Sequence, residues 1–310
     1  MRAFRPVARV IATCALFGLM NQAHSGVIAA TMPRFEDNFL TVLRMAIEES
    51  AGYRGHDTYV ADGDGNKERQ LSQIREFVDA KVDAIIIAPV SGDPEYNRGI
   101  VEAVISANIP LVYVNTDPSI SNYPSNMVYV GSNEVESGTM QTEELAKLAN
   151  YTANIALLKG AEENPAARIR TQDVRDVIKQ YPNMKITVEG TANWQRSEVM
   201  ALVTKWLDEG QTFDMIVANN DEMALGAILA LQKKGLDPKK FLIGGIDATH
   251  DALEAMDKQL LDVTVLQDGQ RQAEKAVIAA NNLIRGREVD EKVWVPFKLV
   301  TQDNYQDFLN

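Results

Sequence analysis

The strongest constraint on the fold lies at residues 215–227, MIVANNDEMALGA. A short apolar run, Met215–Ala218, stops at Asn219, Asn220 and Asp221, and a helical pattern over 223–234 follows at once. This reads as a buried strand that delivers polar side chains at its carboxyl end, where open α/β sheets place their ligands. Asn220 carries both a donor and an acceptor, and Asn or Asp at a helix start can cap it. The junction alone therefore fits a capped turn as well as a ligand site.

The same order recurs along the chain. Strand-like runs fall at 27–32, 58–61, 82–88 and 110–115, with helical patterns at 39–50, 68–78 and 100–107 between them. The run VDAIIIA at 82–88 is apolar throughout, as in a central strand buried on both faces. The second half repeats the alternation, with strands at 155–158, 185–189, 215–218, 241–246 and 261–266. Its helices fall at 170–180, 196–207, 223–234, 252–258 and 272–284. Alternating strands and helices predict a parallel α/β architecture. No Pro/Gly-rich linker divides the halves, so two similar lobes are expected, with the chain crossing between them on strand extensions.

Residues 1–25 stand apart. Arg2, Arg5 and Arg9 precede a short apolar core at 10–20, and Ala23-His24-Ser25 ends in a small-x-small pattern, the arrangement of a cleavable secretory signal peptide. The core is too short to span a bilayer as a helix. Its removal takes the single cysteine, Cys14, and three positive charges, moving the formal charge from −12 to −15 and leaving His56 and His250 as the only histidines. So acidic an exported chain is a poor partner for nucleic acid or anionic membrane. With no thiol and two distant histidines, a histidine-based triad or zinc site is not expected, and neither a phosphate-binding Gly-rich loop nor a nucleophile elbow is present. Asp62-Gly63-Asp64-Gly65-Asn66 resembles a calcium loop but has Lys67 and Gln73 where Gly and Glu belong, so it reads as a polar turn. Carboxylates facing each other across a cleft, such as Asp37 and Asp247, are what glycoside hydrolysis would use, but the chain is expected to bind its solute without turning it over and not to be an enzyme.

Polar and aromatic residues follow the strands: Asp37 and Phe39, Asn115, Arg170, Trp194, Asn220, Asp247 and Gln267. If the strands are parallel, these collect on one rim of each lobe. Amides, carboxylates and a guanidinium suit a polyhydroxylated solute whose hydroxyls both donate and accept, and aromatic faces suit its C–H faces. Each also has a structural alternative: Asp37 as a helix N-cap, Phe39 and Trp194 as packing residues, Arg170 as the partner of Glu162 or Glu163.

At these residues the chain resembles the type I periplasmic sugar-binding proteins, in the branch containing the galactose/glucose-, ribose- and inositol-binding proteins. The resemblance spans residues 26–310 and is carried by FEDNF (35–39), VYVNTDPS (112–119), YVGSNEVESG (129–138), LLKGAEENPAARIRT (157–171), ANW (192–194), VANNDEMALGA (217–227), GGIDA (244–248) and TVLQDGQRQAEKA (264–276). It implies two Rossmann-like lobes joined by a three-crossing hinge near Ser132, Gln267 and Trp294. The amino-terminal lobe would comprise residues 26–131 and 268–293, and the carboxy-terminal lobe residues 132–267 and 294–310. The implied ligand set is Asp37 and Asn115 from one lobe, Arg170, Asn220 and Asp247 from the other, Phe39 and Trp194 sandwiching the ring, and Gln267 at the hinge. Asn164 joins this set where the galactose/glucose pattern has His, Ala166 stands where that pattern has a sugar-binding Asp, and Gln267 replaces an Asn. The lost Asp argues against glucose held in that manner, and the contexts of Arg170 and Trp194 are similar to those of inositol-type relatives. The loop at 150–154 is too short for the calcium site of the galactose/glucose proteins.

The expectation is thus a monomeric periplasmic solute-binding component of an ABC importer, for a cyclitol or monosaccharide. It would need no cofactor, and it would present its closed form to an inner-membrane permease. A sugar sensor engaging a chemoreceptor or sensor kinase is the alternative, with glucose, galactose or ribose as ligand.

Overall fold

The computed structural model describes residues 26–309, and the expected signal peptide lies outside them. The chain opens with β1 (Gly26–Met32), α1 (Asn38–Tyr53), β2 (His56–Asp62), α2 (Lys67–Asp79), β3 (Ala84–Ile87), α3 (Pro94–Ser106), β4 (Leu111–Val114) and β5 (Met127–Gly131). It passes through α4 (Glu134–Leu148) into β6 (Ala153–Lys159), α5 (Pro165–Ile178), β7 (Met184–Thr191), α6 (Arg196–Asp208), β8 (Met215–Ala218), α7 (Asp221–Lys233), β9 (Leu242–Gly244), α8 (His250–Asp257) and β10 (Val263–Leu266). Last come α9 (Gly269–Ile284), β11 (Lys292–Trp294) and β12 (Lys298–Thr301).

Two six-stranded sheets result, ordered β11-β5-β4-β3-β1-β2 and β12-β10-β9-β8-β6-β7. Every pairing is parallel except β10 with β12. Each central strand is covered by helices on both faces, so its side chains can all be apolar. Ala84–Ile87 and Met215–Ala218 are fully buried, and the apolar clusters lie on both faces of each sheet. Strand order reverses beside β1 in the first sheet and beside β6 in the second, which opens the crevice where such sheets bind ligands.

The chain passes between sheets after β5, after β10 and after β11. Helix α9 packs on α1 and on β3–β5, and Trp294 still pairs with Gly131 in the first sheet. Gln272 Nε2 donates to Ser132 Oγ at 3.1 Å and Val295 N to the Gly131 carbonyl at 2.8 Å, tying the crossings to one another.

Two helices begin a full turn or more before the apolar periodicity indicates. The pattern places them at 100–107 and 170–180, yet they start at Pro94 and Pro165, because Asp93 and Asn164 cap them and proline occupies the first turn. Arg170 consequently sits in the second turn of α5 rather than at its start. Strands β5, β11 and β12 are absent from the sequence reading; each is 3–5 residues long and depends on pairing with distant chain. Asp62–Asn66 forms the expected turn: Asp62 Oδ1 accepts from Asp64 N, and Asn66 caps α2.

Candidate functional site: an interlobe cleft

Between the two lobes lies a cleft at the carboxyl ends of the strands, the edge at which open α/β sheets place their ligands. Asp37, Phe39, Asn115, Asn164, Arg170, Trp194, Asn220, Asp247 and Gln267 all line it. The fold therefore brings every site residue expected from the sequence to one place. It adds Arg34, Thr116, Glu134 and the 89–90 turn, which strand-end reasoning missed.

Several of these residues hold the backbone and face the cleft at once. Asp37 caps α1, Oδ1 accepting from Leu40 N at 2.9 Å; Asn164 caps α5 through Ala166 N at 2.9 Å; Asn220 caps α7 through Met223 N at 3.1 Å. One carboxylate or amide oxygen is committed to the helix and the rest of the group lines the cavity, so the cap and ligand readings do not exclude each other. Asn115 ends β4 in a left-handed conformation (φ 66), which Asn tolerates, and its carbonyl accepts from the Tyr129 hydroxyl at 2.9 Å. Phe39 is 8% exposed and belongs to the first lobe's core while lining the cleft. Trp194 packs against Gly160, where a Cβ would lie 2.3 Å from two of its ring carbons. Gly160 is what lets the indole seat there.

Arg170 is the centre of the polar network. Its Nε donates to Glu134 Oε2 at 2.9 Å and Nη1 to the Asn219 carbonyl at 2.8 Å, while Nη2 reaches Glu134 Oε1 at 3.4 Å and Gln267 Oε1 at 3.5 Å. Asp247 Oδ1 lies 3.8 Å from Nη1. The surface pairing with Glu162 or Glu163 does not form: Glu162 turns to Lys159 and Glu163 to Lys67 of the other lobe, because α5 directs Arg170 inward. The only sequence signal for Glu134 was its place after YVGSN, just beyond a strand that the reading did not assign.

Asp221, the third polar residue of the NND junction, is a brace rather than a cap. It is fully buried and accepts from Thr264 Oγ1 at 2.7 Å and Thr249 N at 2.8 Å, fastening α7 to β10 and to the turn after β9. That turn holds Asp247 at φ 125 and Ala248 at φ 52, two consecutive non-glycine residues in positive-φ backbone and hence stored strain at the cleft.

Burial sets the electrostatics. It raises the Asp37 carboxyl above its usual range and raises Asp247 well above it, the Arg170 charge offsetting only part. Burial likewise pushes Asp221 up to about 6. Burial opposes the Arg170 charge, but Glu134 and Asp247 outweigh it, so the guanidinium is held charged. The cleft thus offers a buried guanidinium already hydrogen-bonded to protein, surrounded by acceptors with unused lone pairs, with Arg34 as a second cation in the lining. Such a surface is suited to solute hydroxyls. At the mouth the lobes touch: Asn38 Nδ2 donates to Glu222 Oε1 at 2.8 Å, and Lys67 Nζ meets Glu163 Oε2 at 2.9 Å.

Two parallel-sheet lobes, three crossings and a polar cleft with aromatic walls define a two-lobe solute-binding protein. The chain belongs to the periplasmic binding protein domain family, which matches residues 28–288. It is 42% identical over 303 residues to a putative rhizopine-binding protein of Rhizobium meliloti, covering 96% of this chain and 97% of the relative. It is 31% identical to a D-galactose/methyl-galactoside binding periplasmic protein of Haemophilus influenzae, covering 91% of each. Among solved structures, an ABC transporter solute binding protein from Bacillus halodurans with bound myo-inositol superposes with a TM-score of 0.85 at 36% identity, covering 92% of this chain and 97% of that one.

Proposed function

We propose that this chain is the exported, periplasmic solute-binding component of an ABC importer and closes around one cyclitol, myo-inositol or a close relative. The observation that carries the reading is the Arg170 network within a cleft whose Phe39 and Trp194 walls come from opposite lobes. Held on three sides by protein, the guanidinium needs little reordering when a hydroxyl approaches. Asp37, Asn220 and Asp247 supply acceptors, and the amides of Asn115, Asn164 and Gln267 can donate or accept.

The absence of a carboxylate at Ala166, which lines the cleft, favours a cyclitol over glucose. The kinship with a putative rhizopine-binding protein and with a myo-inositol-bound solute-binding protein points the same way. In the mechanism, one lobe's groups meet the solute first. Closure adds the other lobe's groups and is favoured by the extra affinity of the closed form. The permease then receives the closed protein.

The test is a thermal-shift screen against cyclitols, hexoses and pentoses. At a hundred times its dissociation constant the solute stabilises the fold by about 2.7 kcal/mol, an easily resolved shift. A response to myo-inositol that exceeds every hexose supports the reading; a response to none of the panel overturns it.

A further inference from the structure

The loop between β3 and α3 crosses the cleft mouth and meets the start of α5. Gly92, buried at that contact, has no side chain to spare: an added Cβ would lie 2.2 Å from Pro165 Cγ and 2.3 Å from Pro165 Cδ. The proline ring is rigid and part of the backbone of the first helical turn, so it cannot swing aside. Gly92 is not among the glycines at positive φ, so its own backbone would accept another residue. What excludes a side chain is the opposite lobe. Two polar contacts accompany the packing. Gly92 N donates to the Glu163 carbonyl at 3.3 Å, and Lys67 meets Glu163 at 2.9 Å while standing 3.7 Å from Asp93.

The contact adjoins the solute site. Pro165 is flanked by Asn164 and Ala166, both of which line the cleft. From this geometry we infer that Gly92 and Pro165 form the closure contact of the protein. Glycine at 92 sets how far the lobes approach, and any Cβ there props the cleft open. Gly92 is thus a positioning residue that acts on solute affinity through the interlobe angle without touching the solute. The inference rests on the proposed closure around a polyol. In an opened protein the first-encountered lobe still binds, so the effect belongs in the dissociation rate.

The test uses the full chain with Cys14→Ser and spin labels on Glu68→Cys and Gln172→Cys, two exposed positions on opposite lobes. Distances are measured with and without myo-inositol or whichever solute the screen identifies. Wild-type protein shortens the distance on binding. Gly92→Ala keeps the long distance and binds at least about tenfold more weakly through faster dissociation. Pro165→Ala in the same chain removes the clashing Cγ and Cδ and restores both shortening and affinity. Without solute all variants melt alike. Equal shortening and affinity in Gly92→Ala overturns the contact while leaving the solute reading intact, as does a loss that Pro165→Ala fails to restore. A wild-type protein that shortens with no solute overturns the solute reading and this inference with it.

Discussion

Arg170 and Glu134 meet edge to edge, Nε to Oε2 at 2.9 Å, although 36 residues separate them in the chain. The pair is largely buried, 4% and 11% exposed, so removing Glu134 leaves the interior guanidinium with only the more distant Asp247 carboxylate, 3.8 Å away, as its ion partner among the described residues. Glu134→Ala is expected to destabilise the fold by about 3 kcal/mol, measured by chemical denaturation. Arg170→Ala is expected to weaken solute binding by at least about 2 kcal/mol, measured by titration calorimetry. Wild-type affinity in Arg170→Ala would remove it from the site.

Asp247 combines a raised carboxyl pKa with a φ of 125. Asp247→Ala should also lose at least about 2 kcal/mol of binding. Asp247→Gly should lose binding yet melt at or above the wild-type temperature, since glycine relieves the backbone and no carboxylate is buried. Because the folded pKa is raised, the wild-type carboxyl favours folding below its ordinary pKa of 3.8, and that stability is lost as pH rises through the folded value. The advantage of Asp247→Gly should therefore grow from pH 4 to pH 7 in melting curves, and a constant difference would contradict the strain-and-burial account.

Asp173 lies on α5 with its buried Oδ2 against Gly138 of α4. Burial, followed by the nearby Glu134 charge, pushes its carboxyl up to about 7. The sign is again that of a raised acid: stability is present at low pH and falls as pH rises towards 7. Asp173→Asn should melt close to wild type at pH 4 and higher than wild type at pH 8.

Ala166 follows Pro165 in the first turn of α5 and lines the cleft. Ala166→Asp places a carboxylate there, at a helix N-terminus that tolerates one. Galactose or glucose affinity relative to myo-inositol should rise by about tenfold or more, the effect of one charge-assisted hydrogen bond. Competition titrations would show it; an unchanged ratio would mean that Ala166 does not face the solute.

Gly160→Ala should unseat Trp194, because its Cβ would fall 2.3 Å from the indole. Loss of affinity with a displaced Trp194 fluorescence response and unchanged far-ultraviolet dichroism is the expected result.

Much of this architecture is legible in the chain because it is encoded locally. The apolar runs, the helical periodicities and the polar residues that end strands all act over a few residues. Asp37 and Asn220 are recognisable for the same reason: each caps the helix that follows it. The short strands β5, β11 and β12 are not legible, since three to five residues gain their structure only from partners far along the chain.

The sequence by itself determined a parallel α/β chain and the rim residues that a polyol site would use. Tertiary structure decided which groups neutralise one another and which faces meet. Glu134 rather than Glu162 or Glu163 holds Arg170, Asp221 braces instead of capping, Gly160 seats Trp194, and Gly92 lies against Pro165. Caps and periodicity act along the backbone over one or two turns. Charge pairing and steric exclusion depend instead on distances of a few ångströms between segments that only the approach of the two lobes brings together.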